Sequence, residues 1–228
     1  MLYTNVMIGE TGYEEPGKCY NSGAAVGRVL DIWKKGAPAL DLIAPDIYNP
    51  ELSVYSRICS RYARPDNALF IPETSPTGEA FAMDLIRAAA DYGAIGLCGF
   101  GAESALTNNG ELSEDAYPVM VSMRTIQNLA PLLIRYRGTG RIHCFLQEEF
   151  AIKQYLKLPK YHVVANYLRG SSLRHGLGSR INLRDPENEK HLNARGRGIL
   201  IQTGEDEFFL LSLIHISEPT RRTPSSYA

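Results

Sequence analysis

The chain has 228 residues, of which 44% are hydrophobic and 21% are charged, and its formal net charge is −1. This composition is ordinary for a globular protein, and so nearly neutral a chain has no global field to steer it to nucleic acid or an anionic membrane. No apolar run approaches the ~20 residues of a membrane-spanning helix, and the cysteines form no CxxC pair of the kind that binds zinc. We therefore expect no nucleic acid, membrane, metal or cofactor among its partners.

The first 137 residues alternate apolar, strand-like segments with helix-like segments. Strands are predicted at 2–7, 42–45, 68–71 and 94–98, and helices at 24–35, 50–63, 78–92 and 117–136. Four strand-then-helix units predict a parallel sheet covered by helices. Such a sheet is either doubly wound or part of a (β/α)₈ barrel. No GxGxxG or P-loop sequence follows any of these strands, which argues against a nucleotide-binding, doubly wound sheet.

Polar side chains follow the predicted strands at the points where those strands end. Asp46 and Tyr48 follow the second strand, Glu73 follows the third, and Glu103 follows the fourth. In barrel enzymes the catalytic residues lie at these carboxyl ends of the strands. The placement therefore favours the barrel interpretation.

The pattern changes after residue 140. Strand-like alternation, or β-branched and aromatic content, marks five further segments: 141–146, 150–158, 161–167, 199–202 and 207–210. Between the third and fourth of them the sequence is polar and loop-like. We interpret residues 138–210 as the start of a β-rich accessory domain.

Glu73 suits the nucleophile role of a glycosidase. Such an enzyme needs two carboxyl groups flanking the glycosidic oxygen, about 5–5.5 Å apart when the anomeric configuration is retained. Glu73 comes directly after an apolar strand, and Pro72 stiffens the backbone that leads to it. The residues alone leave open the alternative that Glu73 caps a helix or is a solvated loop residue.

Five motifs that occur in order carry a family resemblance: LDIW at 30–33, LIAPDIY at 42–48, RPDN at 64–67, LFIPE at 69–73 and AIG at 94–96. This series resembles the β-galactosidases of glycoside hydrolase family 35, specifically a bacterial branch with an extra C-terminal domain of uncharacterised role. The sequence GILIQTGEDEF at 198–208 resembles a segment of that extra domain. The resemblance extends over roughly residues 2–210.

The resemblance implies that residues 1–137 are the C-terminal half, strands five to eight, of a (β/α)₈ barrel with a retaining mechanism. It makes Glu73, at the end of strand seven, the nucleophile. Tyr48 matches a tyrosine that often touches the nucleophile in related families, and its hydroxyl would favour the ionised carboxylate; the alternative is that it packs on the following loop. Phe100, where many relatives have tryptophan, would stack on galactose. Asp46 and Glu103 would bind sugar hydroxyls or serve solvated or structural roles.

The acid/base glutamate of this family follows strand four in an Asn-Glu pair, and in this interpretation the chain starts at strand five. The Asn188-Glu189 pair lies in the accessory region instead. We therefore expect the chain to be a fragment that is inactive alone, with unpaired sheet edges and an uncovered apolar barrel interior. Residues 211–228 resemble a translated sequencing adapter and are expected to be a non-native tail.

Together these features predict part of an enzyme that removes terminal β-linked galactose from oligo- or polysaccharides by double displacement. Carbohydrate is its predicted partner, and the intact protein is expected to be periplasmic or extracellular. Two alternatives stay open: a related retaining glycosidase with another sugar preference, and a non-catalytic carbohydrate-binding protein. Nothing in the sequence predicts the oligomeric state.

Overall fold

The structure of the chain is a computed structural model, and its description covers residues 1–9, 15–148, 151, 153–167 and 195–212. The loop-like segment predicted after residue 170 lies outside the described residues up to residue 194, as does the tail from residue 213 onward. None of the described helices is long and apolar enough to cross a membrane.

A four-stranded parallel sheet organises the first part of the chain. Its strands are β1 Tyr3–Met7, β2 Leu42–Ile47, β3 Phe70–Thr74 and β4 Gly96–Gly99. They lie in the order β1-β2-β3-β4, so that each strand pairs in parallel with the next one along the chain. The mixed α/β class predicted from the sequence is thus confirmed at the level of a parallel sheet with intervening helices.

Four α-helices accompany this sheet: α1 Leu30–Gly36, α2 Leu52–Tyr62, α3 Glu79–Ala90 and α4 Tyr117–Tyr136. The predicted bounds of α4 are confirmed, but α1 and α2 begin later than predicted. Val26 is extended, with φ −69° and ψ 157°, and a 3₁₀ turn at Gly27–Val29 precedes α1. Before α2, the side-chain oxygen of Asn49 accepts a hydrogen bond from the Glu51 N–H at 2.8 Å, so that Asn49 and Pro50 form a turn instead of the first helical residues.

The helices cover one face of the sheet and form its core. Val6, Ile43 and Ile71 point from three strands toward the helices, and each is at most 3% exposed. They pack with a cluster of buried helix side chains that includes Leu30, Tyr55, Ile58, Cys59 and Tyr62. Because successive residues of a strand alternate between the two faces, Asn5, Ala44 and Asp46 belong to the opposite face.

The face away from the helices is partly open. Tyr3 and Met7, which alternate with buried Val6 along β1, are 42% and 59% exposed. The ring of Tyr3 meets that of Phe70 edge to face, with their centroids 5.0 Å apart. A layer of apolar side chains therefore lies on the same face as the candidate site residues.

The second part of the chain contains five strands: β5 Ile142–Leu146, β6 Lys153–Lys157, β7 His162–Asn166, β8 Arg197–Gln202 and β9 Phe208–Ser212. They form an antiparallel sheet in the order β5-β8-β9 and a separate hairpin, β6-β7. The strand-like segments predicted after residue 140 thus all contain strands. The first three strands are shorter than predicted, β8 begins two residues earlier, and β9 begins one residue later and ends two residues later.

The three-stranded sheet lies between α3 and α4 on one side and the hairpin on the other. Its helix-facing residues, among them Cys144, Ile199 and Ile201, share a cluster with Met83 and Leu129 of the two helices. Residues of its other face pack with the inner face of the hairpin. The two predicted domains are therefore joined by a common apolar core along α3 and α4.

Strand β9 continues two residues past the predicted limit of native sequence. Leu211 pairs with Ile199 and Ser212 pairs with Gly198, extending the ladder between β8 and β9. The expectation that nothing after residue 210 contributes to the fold is corrected for these two residues, because their backbone groups complete the pairing of β8.

Candidate active site at the carboxyl ends of the strands

Glu73 lies near the carboxyl end of β3, half-buried and in register with Asp46 of β2. The next residue, Thr74, is 2% exposed, and its hydroxyl donates a hydrogen bond to the carbonyl oxygen of Ile47 at 2.7 Å. This contact fixes the end of β3 against β2. The backbone that carries Glu73 is therefore held on a rigid element.

A β-bulge in β3 brings Glu73 to the open face of the sheet. Ile71 pairs with Leu97 and Thr74 with Gly99, so three residues of β3 advance against two of β4. Strict alternation from buried Ile71 would point Glu73 toward the helices. The bulge reverses this direction, which is how bulges commonly redirect side chains beside active sites.

Tyr48 contacts Glu73 as anticipated from the sequence. Its hydroxyl donates a hydrogen bond to Glu73 Oε1 at 2.6 Å, and the residue is 37% exposed just beyond the end of β2. A hydrogen bond from a hydroxyl to a carboxylate is short and strong, so this contact orients the Glu73 side chain.

Asn5 is a second partner of Glu73 that the sequence analysis missed. Its Nδ2 donates a hydrogen bond to Glu73 Oε2 at 3.0 Å, from β1 across β2. Together Asn5 and Tyr48 occupy both carboxylate oxygens and so restrict rotation of the Glu73 side chain. The signal in the sequence was a polar amide within an otherwise strand-like segment, on the face opposite buried Val6.

The other predicted site residues surround this centre to different degrees. Asp46 is the strand neighbour of Glu73. The Phe100 N–H donates to the carbonyl of Thr74 at 2.9 Å, and the ring is 64% exposed. Glu103 is exposed on a short 3₁₀ turn after β4. Within the described part of the chain, no hydrogen bond or ion pair joins Glu103 to the other candidate site residues.

The geometry presents one oriented carboxylate between two hydrogen-bond donors on the partly open face of the sheet. Such a carboxylate can act as a nucleophile or can stabilise a cationic centre. Among the described residues no group of three or more His, Cys, Asp or Glu side chains is arranged to hold a metal ion.

One comparison with known families bears on the second part of the chain. A family model described as a domain of unknown function (DUF5597) matches residues 122–212. No curated protein matches the chain. The family match begins inside α4 and thus extends across the predicted boundary at residue 137, where α4 and the β5-β8-β9 sheet share a core.

Proposed function

We propose that the chain is part of a retaining glycoside hydrolase that removes terminal β-linked galactose from oligo- or polysaccharides. The observation that carries the proposal is the Glu73 carboxylate, which is held by Asn5 in the middle of β1 and by Tyr48 just beyond the end of β2. A carboxylate fixed in this way suits attack on an anomeric carbon, because its orientation is set before the substrate binds.

The strand order supports a barrel. A doubly wound sheet reverses its strand order at a switch point and carries helices on both faces. Here the order β1-β2-β3-β4 has no reversal, and the core of helix side chains lies on one face. We propose that these four strands are strands five to eight of a (β/α)₈ barrel, with the open face as part of its interior.

In the proposed reaction a Glu73 oxygen attacks the anomeric carbon of galactose. The bond from that carbon to the glycosidic oxygen breaks, and the leaving oxygen takes a proton from a second carboxylic acid. Water, deprotonated by that same group, then attacks the anomeric carbon and releases Glu73, so the configuration is retained. Tyr48 and Asn5 hold the attacking carboxylate throughout.

The preference for galactose rests on the sequence resemblance, and the surrounding residues are consistent with a sugar site. The exposed ring of Phe100 offers an apolar surface for the C–H face of a pyranose. Asp46 and, more distantly, Glu103 offer acceptors for sugar hydroxyls. The match of residues 122–212 to a domain of unknown function supports the predicted accessory domain of uncharacterised role.

The proton donor is a separate requirement of this mechanism. Asp46 and Glu73 are the carboxylates on the four strands of the parallel sheet, and no Asn-Glu pair ends any of these strands. General acid–base catalysis typically contributes ~10²–10⁴-fold. We therefore expect the chain by itself to hydrolyse aryl β-galactosides at no more than the background rate.

The proposal is tested by covalent labelling of the full-length product of the gene. A 2-deoxy-2-fluoro-galactosyl reagent with an activated leaving group should form a stable glycosyl-enzyme, and peptide mass spectrometry should locate the sugar on Glu73. The variant Glu73→Gln should remain unlabelled, whereas the matched variant Glu207→Gln, at an exposed position in the second part of the chain, should be labelled like the unaltered protein.

Each other outcome would count against a particular part of the proposal. A label on another residue would show that Glu73 is not the nucleophile. If the folded protein is not labelled by the galactosyl reagent but is labelled by another fluoro-sugar, that sugar would take the place of galactose in the proposal. Binding of galactosides without labelling or turnover would identify a non-catalytic carbohydrate-binding protein.

The hydrogen bond from Tyr48 gives a further prediction. Tyr48→Phe should slow the labelling of Glu73 about tenfold or more, because a hydrogen bond to a charged group is worth roughly 1.5–3 kcal/mol. Tyr3→Phe is a matched control, since it removes a hydroxyl from the same face without touching Glu73. Equal labelling rates for the two variants would show that Tyr48 does not position the carboxylate.

A further inference from the structure

The β6-β7 hairpin forms the outermost layer of the second part of the chain. Its inner residues, which include Leu156, Val163 and Ala165, pack against the three-stranded sheet. The residues that alternate with them form the outer face of the hairpin: Lys153, Tyr155 and Lys157 on β6, and His162, Val164 and Asn166 on β7. The first five are exposed, and Asn166 is half-buried.

An aromatic side chain lies at the centre of this outer face. Tyr155 is 72% exposed and stands directly opposite Val164, which is 49% exposed. Side chains opposite each other in antiparallel strands are close enough to form one surface. The pair therefore provides a small, flat apolar platform, where an outer strand position would ordinarily be polar.

Two ammonium groups flank the platform. Lys153 and Lys157 lie two residues on either side of Tyr155, roughly 6–7 Å along the strand in each direction. Neither lysine is within ion-pair distance of a carboxylate among the described residues. Lys160, at the turn of the hairpin, is by contrast paired with Glu205. The outer face thus carries positive charge that the described part of the chain does not neutralise.

We propose that the outer face of the hairpin binds an anionic polysaccharide, one whose sugar rings carry carboxylates. The Tyr155 ring would lie against the C–H face of one sugar, and Lys153 and Lys157 would pair with the carboxylates of its neighbours. The choice of a carbohydrate rests on the proposed function, whereas the negative charge of the ligand follows from the two lysines. The surface is separate from the Glu73 site and belongs to the family-matched region.

The surroundings disfavour a nucleic acid as the occupant. Glu205, Asp206 and Glu207 form an acidic turn that reaches the hairpin, where the Tyr161 hydroxyl donates to Asp206 at 2.7 Å. A nucleic acid places charges densely and needs a strong positive field. An acidic polysaccharide carries only one charge on each sugar. Two lysines on either side of a single aromatic ring match this wider spacing of charges.

The test measures binding of the full 228-residue chain to polygalacturonate, by calorimetry or affinity electrophoresis, against neutral galactan and single-stranded RNA. Polygalacturonate should bind best, and its affinity should fall as salt is added. Tyr155→Ala, and separately Lys153→Glu with Lys157→Glu, should each weaken binding at least tenfold. Tyr117→Ala, which removes another exposed tyrosine, should leave binding unchanged. Because all these positions are exposed, circular dichroism should show an unaltered fold.

The inference would be overturned if the folded chain did not bind polygalacturonate or if it bound RNA or neutral galactan more tightly. It would also be overturned if the hairpin variants did not weaken binding. Glu73→Gln should bind polygalacturonate normally. If the unaltered protein binds polygalacturonate but is not labelled by the galactosyl reagent, the proposed function alone is rejected. If it is labelled but does not bind polygalacturonate, this inference alone is rejected.

Discussion

Replacing Arg197 by methionine is expected to lower the free energy of unfolding by about 3 kcal/mol, because it leaves the largely buried carboxylate of Glu79 without its cation. Arg197 is 7% exposed on β8. Its guanidinium pairs with Glu79 and donates to the Ser122 hydroxyl at 2.8 Å and to the Pro118 carbonyl at 3.1 Å. It thus joins β8 to the beginnings of both α3 and α4.

Burial works against both members of this pair. Removal from water raises the pKa of Glu79 and lowers the pKa of Arg197, in each case against the attraction of the partner. Desolvation therefore outweighs the mutual attraction, and the pair adds little net stability even though breaking it is costly. The double variant Glu79→Leu with Arg197→Met should consequently recover most of the stability lost in Arg197→Met.

Urea unfolding, followed by circular dichroism and by the fluorescence of Trp33, the single tryptophan, measures these differences. Arg124→Met, on the exposed side of α4, is the matched control and should change stability by no more than about 0.5 kcal/mol. If Arg197→Met were as mild as Arg124→Met, β8 would not be held to the helices through this ion pair.

The second large effect is expected at Asp84. This residue is 1% exposed on α3, and neither of its carboxylate oxygens has a hydrogen-bond partner among the described residues. Burial raises the pKa of Asp84 from 3.8 to about 8, although the charge of Arg87 acts in the opposite direction. The folded protein therefore keeps a neutral carboxylic acid in its interior near neutral pH.

The raised pKa determines how stability changes with pH. In the unfolded chain Asp84 ionises near its ordinary pKa, so its contribution to stability is complete below about pH 4 and is lost as the pH rises toward 8. Each pH unit within this window costs about 1.4 kcal/mol. Asp84→Asn, which cannot ionise, should gain roughly 3 kcal/mol relative to the unaltered chain between pH 5 and pH 8.

Paired unfolding curves of the unaltered chain and Asp84→Asn at pH 5 and pH 8 measure this gain. Asp115→Asn is the control, because Asp115 is exposed and its replacement should show no such pH-dependent difference. A stability difference between Asp84→Asn and the unaltered chain that stays constant over this range would mean that Asp84 is ionised in the folded state.

Local patterns in the sequence predict the order and kind of most elements. Alternation of short apolar runs with helical periodicity predicted the four strands and four helices, including the bounds of α4, and the polar residues at strand ends placed Asp46, Tyr48 and Glu73 at one edge. These features are local, since strand and helix periodicity and the direction of parallel strands are set by neighbouring residues. The starts of α1 and α2 were less predictable, because a buried extended residue and a side-chain turn displaced them.

The pairs of side chains that meet in the folded protein depend on long-range packing. Asn5 reaches Glu73 because β1 and β3 flank β2, and because the bulge before Thr74 turns Glu73 to the face of Asn5. Arg197 finds Glu79 across more than a hundred residues of sequence. No local pattern encodes such pairs, since they depend on register, on the irregularity of one strand and on how the second sheet packs against α3 and α4.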